Sequence, residues 1–274
     1  MKYFALTNDP DHGKVEDYRK ILRALSDSEI FVTTAVFCKL KDDDSPLARH
    51  CYEGETNSLE DKEYRDLMLE ARDWGHEIAF HGYSQVSDTR EEFLEGLDIF
   101  SSVFGEYPKV YFEHGGHPMH HPSGMIKKEN LSMYGSTEGS NYYVKDIVGS
   151  VFDVVWTHDY LMDHLKEPLN LKDIFTKKEE IVYVKRWRMC HFNNIVQKLD
   201  AQKNTIVGYT HFGYKGYRSS NPIKRYFDKA SFLERWLSNK ELNRSIEILD
   251  NFINTSRVRS VTLSELYRIA CQNE

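Results

Sequence analysis

Cysteine is scarce, with four residues in 274, at positions 38, 51, 190 and 271, and no CxxC pair among them. That wide spacing favours reduced thiols over a disulfide framework or a zinc ribbon, and each thiol reads as a small buried filler. Long hydrophobic runs are absent: nothing approaches the ~18 apolar residues that a membrane span requires. The opening Met1-Lys2-Tyr3-Phe4-Ala5-Leu6 is too short for a secretory signal. A soluble cytoplasmic protein with no membrane partner is the expectation. Basic excess is missing as well, since the net charge of -7 offers no general attraction to nucleic acid or anionic lipid. No internal repeat or low-complexity tract is present, which argues against a solenoid.

What is present can build a core. The hydrophobic fraction is 40%, and 15 Phe, 17 Tyr and 4 Trp supply bulky side chains, which argues against disorder. The length suits one large domain over residues 1–274. The oligomeric state is open at this level.

Apolar segments alternate with amphipathic ones. Strands are expected at Tyr3–Thr7, Ile30–Phe37, Ile78–Phe80, Val110–Phe112, Val151–Trp156, Ile181–Val184, Thr205–Tyr209 and Val258–Thr262. Helices are expected at Glu16–Leu25, from Ser58 to Trp74 with Gly75 as its cap, at Thr89–Phe104 with Phe93, Leu94, Leu97 and Phe100 as its apolar positions, at Glu241–Thr255 and at Ser264–Cys271. Strands alternating with helices indicate a parallel sheet. The class is α/β, and about eight such units suit a closed or nearly closed (β/α) TIM-like barrel of seven or eight parallel strands better than an open three-layer sheet.

Chemistry-bearing residues fall just after these strands, the end at which barrel enzymes act. Asp9 and Asp11 follow the first strand, and residues i and i+2 of an extended chain point the same way, so the two carboxylates can converge. A turn with an aspartate capping the next helix fits Asp9-Pro10-Asp11 about as well. His81 ends the third strand. His76-Glu77 with His81 looks like the HExxH zinc motif, but the histidines are five apart and would not share a helix face. Four histidines, His114, His117, His120 and His121, follow the fourth strand, and such tracts suggest metal. His211 follows the late strand, while Arg186 and Arg188 follow the sixth.

The order of these motifs resembles the polysaccharide deacetylase family, carbohydrate esterases of the NodB-homology type, over almost the whole chain. Leu6-Thr7-Asn8-Asp9-Pro10-Asp11 looks like its first motif, Gly75-His76-Glu77-Ile78 with His81 and Ser84 like its histidine motif, Thr210-His211 like its late catalytic strand, and Val261-Thr262-Leu263-Ser264-Glu265-Leu266 like its closing segment. The resemblance implies a distorted (β/α) barrel and a divalent-metal hydrolase acting on an acetylated sugar. Three departures stand out. Pro10 separates the aspartates, Gln85 stands where the family has a second histidine, and Glu113-His114-Gly115-Gly116-His117 replaces an Arg-Pro motif.

Hydrolysis near neutral pH needs an activated water, which a divalent metal supplies. Asp11, His81 and His114 are the candidate ligands, His114 standing in for the missing histidine and Gln85 being an alternative weak oxygen ligand. Asp9 is the candidate base, although the two aspartates could exchange roles. His211 is the candidate acid for the leaving group. The metal is expected to be zinc, with cobalt, nickel or manganese as alternatives. Arg186 and Arg188 could hold an anionic substrate group such as a uronate or phosphate. Trp156 could stack on a sugar ring, with His117 and Gln85 as further substrate contacts. Two alternatives accompany this reading, a hydrolase of non-sugar C–N bonds and a catalytically silent carbohydrate-binding barrel.

Overall fold

The computed structural model describes residues 1–11, 13–48, 56–115, 125–212 and 239–272. Among them a ten-stranded sheet runs in the order β6-β7-β5-β4-β3-β2-β1-β9-β8, with β10 added beside β1. The strands are β1 Lys2–Asn8, β2 Val32–Val36, β3 Glu77–Phe80, β4 Val110–Phe112, β5 Val154–Trp156, β6 Phe175–Lys178, β7 Ile181–Val184, β8 Trp187–Arg188, β9 Thr205–Thr210 and β10 Val258–Ser260. Every pairing is parallel except the β6–β7 hairpin. The ladder does not close on itself among the described residues, although isolated bridges tie Leu161 to Arg186 and Leu169 to Thr205. The fold is α/β with a mostly parallel sheet. The strand count exceeds the seven or eight expected, because β6 and β8 carry polar or very short sequences with no β-signal of their own.

The central strand β1 is flanked by β2, β9 and β10, and six of its seven residues are buried. Burial on both faces explains why Phe4-Ala5-Leu6 reads as a continuous apolar run rather than an alternating one. The helices are cut where local chemistry dictates. Arg90–Phe104 begins in a capping box, in which Glu92 N donates to Thr89 Oγ1 (3.3 Å) and Thr89 N donates to Glu92 Oε2 (2.8 Å). Its end is Gly105, left-handed at φ 77°. Phe93, Leu97, Phe100 and Phe104 face the sheet, whereas Leu94 is 42% exposed, one step of the helix away from the buried stripe. Phe80 at the end of β3 collects Phe93, Phe100, Tyr111 and Phe152 around it, with ring centroids 5.2 to 6.3 Å away.

Val151–Asp153, expected as the start of the fifth strand, instead closes the helix Lys145–Val151 and turns into β5 at Val154. No helix among the described residues is long and apolar enough to cross a membrane.

Candidate metal centre

Parallel strands share a C-terminal edge, and four of them bring a titratable side chain to one point there. Asp9 and Asp11 follow β1, His81 follows β3, His114 follows β4 and His211 follows β9. The backbone beyond β1 is fixed by its neighbours. Asn8 Nδ2 donates to Thr34 Oγ1 (2.8 Å), Asn8 Oδ1 accepts from Phe212 N (2.8 Å), and Asp9 N donates to Thr210 O (3.0 Å). Thr56 Oγ1 donates to the carbonyl of Asp11. Pro10 therefore does not disperse the carboxylates, because β2 and β9 hold the chain before it and Thr56 holds the Asp11 carbonyl after it.

Asp9, Asp11, His81 and His114 each offer a ligand atom within 4.8 Å of the others, and all four are buried. Three atoms form a tight triangle: His114 Nδ1 lies 2.9 Å from Asp11 Oδ1 and 3.1 Å from His81 Nε2, and His81 Nε2 lies 3.3 Å from Asp11 Oδ1. Ligands about 2.0–2.1 Å from one zinc-sized ion stand ~2.9 Å apart in an octahedron and ~3.3 Å apart in a tetrahedron, so these edges match donors sharing one ion. His81 Nδ1 donates to Phe112 O (2.9 Å), which fixes the ring and leaves Nε2 toward the cluster. Asp9 Oδ1 is 3.0 Å from His81 Nε2 yet buried with no hydrogen bond of its own among the described residues. Such an oxygen is near its neighbours without being aimed at them, as for a ligand or base directed at a common centre. Two imidazoles and a carboxylate form a donor set that suits zinc and its divalent neighbours, and the residues fit such an ion.

His211 closes the other side. Its Nε2 is 3.4 Å from Asp9 Oδ2, 3.7 Å from Asp11 Oδ2 and 3.4 Å from Tyr209 Oη, with its side chain 11% exposed. Burial alone would push both aspartates up, but the adjoining imidazoles overcome it, bringing Asp9 to about 2 and Asp11 well below the usual carboxylate range. Conversely, burial would lower His81 and His211, yet the aspartates hold them up at about 9 and about 10. His114 is lowered, burial being the dominant cause. Without an ion, protonated His81 and His211 are thus the counter-charges of the aspartate pair.

The other sequence candidates separate. Gln85 is not turned to the cluster: its Oε1 accepts from Lys41 N (3.0 Å) and its Nε2 donates to Lys41 O (2.6 Å), so both ends of the amide serve the loop after β2. Trp156 is fully buried, with Phe112 stacked on its ring (4.9 Å, 5°) and the Arg186 guanidinium carbon 3.4 Å from its centroid. With both faces covered it offers no surface to a sugar ring, which corrects the stacking role expected for it. Arg188 pairs with Asp163, Nε to Oδ2 at 3.2 Å, and is 38% exposed, the surface ion pair that isolated arginines commonly make. Arg186 is fully buried, donates to Thr157 O, and has Nε and Nη2 without a hydrogen-bond partner among the described residues. Burial lowers it to about 9. His117, His120 and His121 lie outside the described residues. His76 belongs to the opposite end of β3, where it accepts from Val32 N (3.1 Å) and pairs with Leu22 O (2.8 Å). A cavity of about 240 Å³ at that end, lined by His76, Glu77, Arg72 and Tyr107, holds no member of the cluster.

Two neighbours were not singled out in the sequence. Glu113 is buried beside His114, accepts from Leu131 N (2.6 Å), and is raised by burial to about 7. Asn130 Nδ2 donates to His114 O (2.9 Å). The signal for Glu113 was its position at the end of β4; Asn130 had none.

No family model matches the chain, and no curated protein matches it in sequence. Solved structures do. The chain is similar to polysaccharide deacetylases. The polysaccharide deacetylase Bc1974 from Bacillus cereus aligns at TM-score 0.45 and 13% identity, over 96% of this chain and 92% of that one. A family 4 acetyl xylan esterase from Clostridium thermocellum, solved with a cobalt ion, aligns at 0.45 and 13%, over 98% and 91%. The peptidoglycan deacetylase PdaC from Bacillus subtilis aligns at 0.43 and 17%, over 99% and 93%. What bears on the chemistry of this chain is its own donor geometry.

Proposed function

We propose that the chain is a metal-dependent hydrolase that removes an acetyl group from an N-acetylated sugar or polysaccharide precursor. The observation that carries the proposal is the triangle of Asp11 Oδ1, His81 Nε2 and His114 Nδ1, with edges of 2.9, 3.1 and 3.3 Å. Zinc is the metal the donor set suits best. A divalent ion there supplies Lewis acidity and lowers the pKa of water toward ~7. Asp9, outside the triangle and held low at about 2, is an ionised carboxylate positioned to take a proton from the attacking water. His211, across the cluster from His81 and close to Asp9 Oδ2, holds the proton that the leaving amine needs. In the metal-free cluster the aspartates raise His211 to about 10, which favours the protonated form that a general acid needs.

Arg186 is the residue we assign to an anionic group on the substrate, because Nε and Nη2 of its guanidinium have no hydrogen-bond partner among the described residues. Its ring neighbour Tyr209, 5.5 Å from the guanidinium, contacts His211, which links that group to the acid. Thiols at Cys38 and Cys271 that are outside any disulfide among the described residues accord with a cytoplasmic setting.

The test is metal content followed by turnover. Purified protein is expected to carry a divalent ion, to gain thermal stability from Zn²⁺, Co²⁺ or Ni²⁺, and to release acetate from N-acetyl sugars. Protein without metal and without that stabilisation would overturn the proposal in favour of a silent binding barrel. Metal binding with cleavage only of non-sugar amides would move the substrate away from carbohydrate.

A further inference from the structure

A second buried ionic cluster lies behind the histidines, and the proposed chemistry does not use it. Lys127 is fully buried, and its ammonium donates to Ser84 O (2.8 Å) and Asp88 Oδ2 (2.7 Å) and pairs with Glu129 Oε1 (2.6 Å). Asp88, also fully buried, accepts from Ser84 N (3.0 Å) and Ser84 Oγ (2.5 Å) and pairs with Lys41 (3.1 Å). Lys41 in turn pairs with Glu92 (2.8 Å). A buried ammonium is costly unless paired and hydrogen-bonded, and here it donates two hydrogen bonds to the loop after β3 and stands beside Glu129 on its own segment.

Those segments carry the two histidines. On one side, the loop from His81 to Asp88 is gripped through Ser84 and Asp88. Gly82, the residue after His81, has φ 112°, and a Cβ on it would come 2.6 Å from Lys127 Nζ. The ammonium therefore sits directly against the backbone next to His81. On the other side, the segment bearing Lys127 holds the end of β4. Gly115 bridges Ile126, Asn130 Nδ2 donates to His114 O (2.9 Å), and Leu131 N donates to Glu113 Oε1 (2.6 Å). The sheet contributes little at this place, since β3 and β4 share a single register pair, Phe80 with Tyr111.

We propose that Lys127 is a positioning residue that sets the separation of His81 and His114 by bracing the loop after β3 against the segment after β4. For its meaning in metal binding the inference rests on the function proposed above. Lys127 and Lys41 offset Asp88 and Glu92, and burial pushes Glu129 up toward its neutral form while Lys127 opposes it. Lys127 acts through the backbone of both histidine loops.

The test uses Lys127→Met and the double variant Lys127→Met/Asp88→Asn, the latter removing both buried charges so that neither is left uncompensated. Co²⁺ titration, read from the visible ligand-field spectrum well below the melting temperature, is expected to show affinity lowered 10–100-fold, as for loss of residues supporting metal ligands, with shifted bands. In crystals of the metal-free double variant, the His81 Nε2 to His114 Nδ1 distance is expected to exceed 3.1 Å. Wild-type Co²⁺ affinity and spectrum in a folded variant, with that distance kept, would overturn the inference and leave Lys127 a structural residue only. If the wild-type protein binds no Co²⁺, the metal reading fails, while the histidine separation in the metal-free variant still decides the brace.

Discussion

His114 Nδ1 stands 3.1 Å from His81 Nε2 across 33 residues of sequence, each ring delivered by the C-terminal end of a neighbouring parallel strand. Both rings also face Asp11 Oδ1. If one ion holds this trio, His81→Ala and His114→Ala should each reduce Zn²⁺ or Co²⁺ affinity by more than the 10–100-fold range typical of supporting residues. Gln85→Ala should leave affinity near wild type, because its amide serves Lys41. Calorimetric titration checks all three, and affinity retained after His114→Ala would remove it from the ligand set.

The metal-free cluster makes stability depend on pH at both extremes. His81 and His211 are raised from 6.5 to about 9 and about 10, so their stabilisation is fully present below pH 6.5 and is lost as pH rises through 9 to 10. Asp9 is lowered from 3.8 to about 2; its contribution is present above pH 3.8 and is lost as pH falls through 2. Metal-free protein should therefore lose on the order of a few kcal/mol between pH 6.5 and 10, because each tenfold change in proton affinity on folding corresponds to ~1.4 kcal/mol. Ion affinity should run the other way, rising toward pH 9, because the ion displaces the His81 proton. Urea melts and titrations across this range test both slopes, and parallel slopes would contradict the shared use of His81.

Arg186 separates two roles for a buried guanidinium. If it binds a substrate anion, Arg186→Met should raise KM for an acidic N-acetyl sugar about tenfold or more, the weight of a charged hydrogen bond, and leave a neutral sugar unchanged. Equal loss of kcat on both substrates would instead make it a support for the cluster.

Phe80 tests the core beneath the site. It is fully buried and ringed by Phe93, Phe100, Tyr111 and Phe152, so Phe80→Ala should cost about 3–5 kcal/mol of unfolding free energy. Chemical denaturation measures it directly. A cost below ~1 kcal/mol would mean that the aromatic cluster repacks without it.

Strands such as Val110–Phe112 and Ile181–Val184 were legible because short apolar runs bounded by turn residues have few other solutions. The hairpin strand Phe175–Lys178 was not, since Thr176, Lys177 and Lys178 carry no β-pattern and pair only because β7 is beside them. Val151 illustrates the same limit: its β-branched side chain suggested strand, while local helical hydrogen bonding in Lys145–Val151 took it.

By itself the sequence determined the parallel α/β class and the edge at which chemistry would gather, because alternating strand and helix patterns place every strand's C-terminal end on one side. It also made Asp9, Asp11, His81, His114 and His211 candidates by their place after strands. Only the tertiary structure decided which side chains meet. Strand order put β3 beside β4 and β1 beside β9, so His81 met His114 and Asp9 met His211. Contacts 33 or about 200 residues apart have no local signature. The same holds for what was excluded: Trp156 lost its open face to Phe112 and Arg186, and Gln85 was claimed by Lys41, through packing that no spacing rule encodes.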